Sequence, residues 1–172
     1  MISKEQVLNK KWLFIDLDDT LIETVSGSTF PTGIWDMKFK EDCLDAIKAM
    51  KPEGVFIVTN QGGIDKGYVK HQSFHAKGEY IMQALIDYID NPHVCMAVCE
   101  SNDKTDQRRK PNTGMFDEIY LKFGTREDDS LMVGDASGFE GQFSDSDKKF
   151  AENVGMGYLD VNDFVNLMLK SW

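Results

Sequence analysis

Three carboxylates crowd into four positions of FIDLDDTL, residues 14–21, directly after a run of apolar side chains. Alternate side chains of an extended segment project the same way, so Asp16 and Asp18 can reach one site while Asp19 turns elsewhere. Two converging acids repel each other unless positive charge lies close by. Other apolar runs end in equally useful groups. VFIV leads into Thr59 and Asn60, SLMVG leads into Asp135, and the loop after VCMAVC carries Arg109 and Lys110 immediately before Pro111. Asp16, Asp18 and Asp135 would make an all-oxygen pocket, the ligand set a hard cation such as Mg2+ prefers. Lys110 would add a second counter-charge. A plainer reading of DLDDT is a polar turn leaving a buried strand, with Asp19 or Thr20 as a cap.

These residues converge only if the elements carrying them are parallel. Short β-like runs occur at 12–17, 55–60, 94–99, 130–135 and 157–160. Helix-like stretches lie between and after them. EDCLDAIKAMK (41–51) aligns Leu44, Ile47 and Met50, and the stretch from about 70 to 90 aligns Phe74, Ile81, Leu85, Tyr88 and Ile89, with Gly78 weakening its helical pattern. Residues 111–123 open on Pro111 and stop before Gly124, and 161–170 repeats apolar residues at helical spacing behind Asp160. Continuous apolar strands alternating with helices predict a parallel, Rossmann-like sheet in a three-layer α/β/α sandwich. Such sheets bind ligands beyond the carboxyl ends of their strands. The long connection at about 19–40 predicts a small flap over that edge rather than a large cap.

The chain of 172 residues, 41% of them hydrophobic, reads as one domain spanning 1–172. A net charge of −10 argues against broad attraction to nucleic acid or anionic membrane, so any polyanion must be gripped locally. Cys43, Cys95 and Cys99 are odd in number and set in apolar segments, as reduced thiols would be. No run approaches the roughly 20 apolar residues of a membrane span, and MISKEQVLNKKWLF lacks a secretion-signal core. These features lead to the expectation of a soluble, cytoplasmic protein.

The order DLDDT, VTN, RKP, VGD resembles the four motifs of the haloacid-dehalogenase-like phosphohydrolases, over about residues 12–160. That resemblance implies a Mg2+-dependent phosphatase with Asp16 as nucleophile, Asp18 as general acid and base, Thr59 binding phosphate, Lys110 steadying charge and Asp135 holding metal. Asn60 and Arg109 join Thr59 and Lys110 as implied substrate contacts. Asp19 stands where relatives often have Gly. Asp147, twelve positions after Asp135, reads either as a further acid near the metal or as a helix cap.

TFPTG, VTNQGGIDKG, RRKPNTGMFD, VGDASG and FSDSDKKFAENVG resemble, more narrowly, the phosphatase domain of polynucleotide kinase/3′-phosphatases. This implies removal of 3′-phosphates from DNA ends, with a repair role. No kinase domain is expected in this chain, because a G-x-x-x-x-G-K-[ST] loop is absent. Lys104, Arg108, Arg109, Lys110, Lys148 and Lys149 could form a basic rim for a strand end, or be ordinary solvated loop charges. Two alternatives stand: a small-molecule phosphatase of the histidinol-phosphate or heptose-bisphosphate type, and a catalytically idle binding module. The zinc loop common in that first group needs four ligands, and His93, Cys95 and Cys99 offer three. His71 and His75, at i and i+4, read as surface helix residues.

Overall fold

The computed structural model describes residues 1–90 and 93–170. Five parallel strands form the central sheet: β1 (Trp12–Ile15), β4 (Gly54–Asn60), β5 (Val94–Cys99), β6 (Ser130–Gly134) and β7 (Gly157–Asp160), in the order β5-β4-β1-β6-β7. A second sheet is the short antiparallel pair β2 (Ile22–Glu23) and β3 (Lys38–Phe39). The helices are α1 (Lys4–Leu8), α2 (Glu41–Met50), α3 (Gly62–Asp65), α4 (His71–Ile89), α5 (Gly114–Phe123), α6 (Ser146–Val154) and α7 (Val161–Leu169). The expected α/β/α sandwich is the observed one.

Strand periodicity sorts the core into two halves. Leu13, Ile15, Val55, Ile57, Leu131 and Val133 point to one face, where α2, α4 and α7 bury Leu44, Ile47, Phe74, Ile81, Leu85 and Phe164 against them. The intervening Phe14, Phe56, Val58 and Met132 point to the other, against Met115, Phe116 and Ile119 of α5 and Phe150 of α6. Side chains buried on both faces explain why these strands read as unbroken apolar runs. Phe14 packs tilted against Phe56 at 5.2 Å and Phe116 at 5.1 Å between ring centroids, anchoring the aromatic half.

Three details depart from the sequence pattern. The helix expected to open at Pro111 begins at Gly114, because Gly114 N–H donates to Gln107 O and Asn112 N–H to Arg109 O, so the preceding residues are held in turns. A Cβ on Gly114 would lie 2.5 Å from Gln107 O, so the turn requires glycine. Tyr88, expected on the buried stripe of α4, is exposed. Its hydroxyl donates to Asp45 of α2 while Lys48 Nζ lies 4.9 Å over its ring, an amphipathic end kept wet. Gly78, which weakened the helical pattern, is buried where α4 crosses β5, and a Cβ there would sit 3.2 Å from Met96 Sδ. Close helix–strand approach therefore outweighs propensity.

The long connection after β1 is a flap built on β2 and β3. Asp36 organises its loop, accepting from Ser26 N (2.9 Å), Ser26 Oγ (2.6 Å), Thr32 N (2.9 Å) and Thr32 Oγ (3.2 Å). The Ser26 hydroxyl, then the backbone amides, hold its carboxyl below the usual carboxylate range. Trp35 meets Tyr80 of α4 edge-on at 5.6 Å, so the flap leans on that helix. A depressed folded pKa means this tie is intact above the ordinary carboxylate pKa and lost only as pH falls through the lower value. Asp36→Ala should speed amide exchange at Ser26 and Thr32 by roughly tenfold while leaving the main thermal transition in place, since the tie is local. Unchanged exchange at both amides would show that Asp36 does not order the loop.

Candidate active site

Because all five strands run the same way, the residues that follow β1, β4 and β6 emerge along one edge. Asp16 N–H donates to Val133 O of β6 at 3.0 Å, which fixes the first carboxylate beside the end of the neighbouring strand. Asp19 then takes a left-handed turn (φ 60), with its N–H donating to Ile22 O. An aspartate tolerates that conformation better than most residues. The turn carries Thr20 inward, and its hydroxyl donates to Asp135 Oδ1 at 3.1 Å. Asn60 pairs reciprocally with the Lys110 backbone: Lys110 N donates to Asn60 Oδ1 at 2.9 Å and Asn60 Nδ2 to Lys110 O at 3.0 Å. That amide clamp delivers the lysine from a long loop to the sheet edge. The Lys110–Pro111 peptide bond is cis.

Lys110 is the hub. Its ammonium donates to Asp16 Oδ1 at 2.8 Å and to Asp147 Oδ1 at 2.7 Å, with the side chain almost wholly buried. Asp147, in the first turn of α6, is 1% exposed, and its other oxygen accepts from Ala136 N at 3.1 Å. The residue at the N-cap of α6 is Asp145, so Asp147 faces the pocket instead of capping the helix. Its fit against β6 is tight: a Cβ on Gly134 would fall 2.3 Å from Asp147 Oδ2. Among the described residues, carboxyl oxygens of Asp16, Asp135 and Asp147 all lie within 4.8 Å of one another. Oxygen donors of this kind suit Mg2+, which keeps several of its waters.

Burial dominates the electrostatics. It pushes Asp16 up to about 7, with Asp135 adding repulsion and Lys110 opposing both. It likewise lifts Asp147 to about 6, aided by Asp16 and countered by Lys110, and raises Asp135. Burial works against the Lys110 charge, yet Asp147 and then Asp16 outweigh it and raise that group. Three acids share one ammonium here, and the pocket is short of positive charge.

A family model described as polynucleotide kinase 3 phosphatase matches residues 11–164. The chain belongs to that family. It is 32% identical over 160 residues to the bifunctional polynucleotide phosphatase/kinase of Schizosaccharomyces pombe, covering 90% of this chain and 37% of that protein. The chain thus spans little more than a third of that relative's length. It is also 29% identical over 139 residues to a D-glycero-D-manno-heptose-1,7-bisphosphate 7-phosphatase assigned in Thermoplasma volcanium, covering 78% of this chain and 91% of that one. The solved D,D-heptose 1,7-bisphosphate phosphatase of B. bronchiseptica, complexed with magnesium and phosphate, superposes with a TM-score of 0.65 at 18% identity, over 92% of this chain and 98% of that one. The fold is therefore that of the haloacid-dehalogenase-like phosphatases.

Within this family member, the structure brings Asp16, Asp135, Asp147 and Lys110 together, with Thr59 buried at the adjoining strand end. Asp18, expected to join Asp16 and Asp135 around a metal, instead lies at the exposed margin outside the carboxylate cluster, whose third member is Asp147, and its Oδ2 accepts from Gln61 Nε2 at 2.8 Å. Gln61 Nε2 also reaches Thr59 Oγ1 at 2.8 Å, so one amide ties two motif residues. Neither Gln61 nor Thr20 was marked as a site residue by the sequence, where Thr20 figured with Asp19 only as a cap in the plainer reading of the turn; their only signal was adjacency to the motifs. Sequence reasoning also missed the brace beneath Asp135, in which Ser137 Oγ donates to Asp160 Oδ2 and contacts Tyr158 Oη, each at 2.6 Å. Of the basic rim, Arg108 pairs with Glu118 and donates to Val98 O, Arg109 donates to Ser101 O, and Lys149 pairs with Asp145. No helix among the described residues is long and apolar enough to cross a membrane.

The raised acids predict a specific pH dependence. Between the ordinary carboxylate pKa and about 6–7, folded Asp147 and Asp16 hold protons that the unfolded chain releases, so stability falls as pH rises. With metal chelated, the melting temperature should drop from pH 5 to pH 7.5, and Asp16→Asn should flatten that slope. Added Mg2+ should raise the melting temperature more at pH 7.5, where fewer protons compete. A chelated protein equally stable at both values would contradict the charge arrangement.

Proposed function

We propose that this chain is a Mg2+-dependent phosphomonoesterase that removes 3′-phosphates from polynucleotide ends, DNA ends foremost. The observation that carries the reading is the buried Lys110 ammonium held between Asp16 and Asp147, beside Asp135, at the edge where Thr59 and Asp18 also lie. Asp16 is the nucleophile. Its carboxylate oxygen attacks phosphorus, the bond from phosphorus to the 3′-oxygen breaks, and Asp18 gives that oxygen a proton. Asp18 then takes a proton from water as the water attacks the aspartyl-phosphate, releasing inorganic phosphate and restoring Asp16. Gln61 positions Asp18 and Thr59 relative to each other, and the Thr59 hydroxyl and Lys110 ammonium meet the phosphoryl oxygens.

Asp16, Asp135 and Asp147 would hold Mg2+, which would supply the positive charge that a phosphate dianion among these carboxylates demands. Lys110 alone cannot offset them. Asn60 acts through the Lys110 backbone, and Arg109 lies on the same loop as a substrate contact. The acidic surface confines nucleic-acid attraction to this edge, so binding should be weak and sensitive to salt. The family match over most of the chain favours the polynucleotide substrate. The heptose-bisphosphate relative keeps a small sugar phosphate as the second reading.

Asp16→Asn should leave less than about one part in 10^4 of wild-type phosphate release with an unchanged fold. Asp18→Asn should lose about 10²–10⁴-fold, the usual weight of general acid–base catalysis. EDTA should stop turnover and Mg2+ restore it. In a comparison of 3′-phosphorylated and 5′-phosphorylated oligonucleotides with histidinol phosphate and heptose bisphosphate, the first should give the highest kcat/KM. Preference for a sugar or histidinol phosphate would select the second reading, and no release from any of the four would select the idle module.

A further inference from the structure

Away from the acidic pocket, α4 begins with two imidazoles one turn apart. His71 and His75 lie with ring centroids 4.2 Å apart. Glu100, the residue after β5, meets both: His71 Nδ1 is 2.5 Å from Oε1, and His75 Nε2 is 3.5 Å from Oε2. One nitrogen of each histidine and a Glu100 oxygen all lie within 4.8 Å of one another. The Glu100 backbone is fixed by the strand end, and Glu100 O accepts from Asp65 N at 3.2 Å.

We propose that His71, His75 and Glu100 form a second metal site, which takes a borderline transition metal such as Zn2+ and leaves a coordination position open for water or another ligand. The chemistry differs from that of the acidic pocket. Two imidazoles and a carboxylate suit zinc, whereas an all-oxygen set suits magnesium. Two histidines at i and i+4 share one helix face, which is the spacing that lets a helix supply two ligands to one ion. Metal–ligand bonds of about 2.0–2.1 Å in tetrahedral geometry place ligand atoms roughly 3.3 Å apart. The His75 Nε2–Glu100 Oε2 separation of 3.5 Å is close to that spacing, and the His71 Nδ1–Glu100 Oε1 hydrogen bond of 2.5 Å opens by less than about 1 Å as the metal replaces its proton, the two imidazoles meeting different oxygens of one carboxylate.

The site has a structural consequence. It fastens the first turn of α4 to the end of β5, bracketing the segment from Gln61 to Lys70. Gln61 is the residue that touches Asp18 and Thr59, so the fastened segment adjoins the acidic pocket.

Zinc should be titrated into the full chain against a chromophoric chelator, with excess Mg2+ present, for the wild type, His75→Ala and Asp135→Asn. The expected result is one tight zinc per chain, retained in Asp135→Asn. His75→Ala should weaken it by more than the roughly 10–100-fold that loss of an outer-shell partner costs. Zinc should raise the melting temperature of the wild type and not of His75→Ala, which removes an exposed side chain. Substituted Co2+ should show visible d–d absorption in the wild type that His75→Ala abolishes. Zinc binding unaffected by His75→Ala, abolished by Asp135→Asn, or absent in the wild type would each overturn the site.

Discussion

One ammonium group among three carboxylates sets the terms for the rest of this molecule. Lys110 is buried with its nitrogen 2.8 Å from Asp16 and 2.7 Å from Asp147. A buried ion pair gains little net stability, because desolvation offsets the attraction. Removing one partner, by contrast, leaves uncompensated charge. The arrangement is better understood as a preorganised charge distribution than as a stabilising bridge. It leaves the acids with raised pKa values and a standing demand for more positive charge, which suits a divalent cation and a phosphoryl group arriving together.

Holding that charge in place accounts for many otherwise separate features. The Asn60 amide grips the Lys110 backbone in both directions, Ala136 N–H anchors Asp147, and Thr20 restrains Asp135. Gly134 leaves room for Asp147 to approach β6, and Ser137, Tyr158 and Asp160 brace the chain just beyond Asp135. These groups sit on a sheet whose strands are buried on both faces. Rigid strand ends place side chains more reproducibly than loops can. The flap leans on α4 through Trp35 and Tyr80, whereas the loop ahead of α5 carries Lys110 itself to that edge.

Acting on polyanionic ends, as proposed, would set this acidic chain a conflict between surface and site. The net charge of −10 repels nucleic acid at long range, and much of the basic rim is already engaged by Glu118 and Asp145. Attraction must therefore be short-ranged and concentrated on the terminal phosphate. A terminal monoester carries more charge than an internal diester, so such a field discriminates ends from backbone.

The sequence by itself determined the layers and the motif order. Apolar runs buried on two faces identify parallel strands, helical spacing identifies α2, α4 and α7, and the parallel sheet implies that Asp16, Thr59 and Asp135 share an edge. Where local preference met a tertiary demand, the sequence misled: Tyr88 on an apolar stripe stays wet, Gly78 in a helix interior is needed for close packing, and Pro111 precedes its helix by a turn. Asp147 could be read as a cap or a pocket acid from its position alone, and only the packing of α6 against Gly134 turned it inward. Gln61, Thr20 and the meeting of Glu100 with His71 and His75 were likewise invisible. Such contacts join residues far apart in the chain, and periodicity records which face a side chain occupies, never which distant partner it meets there.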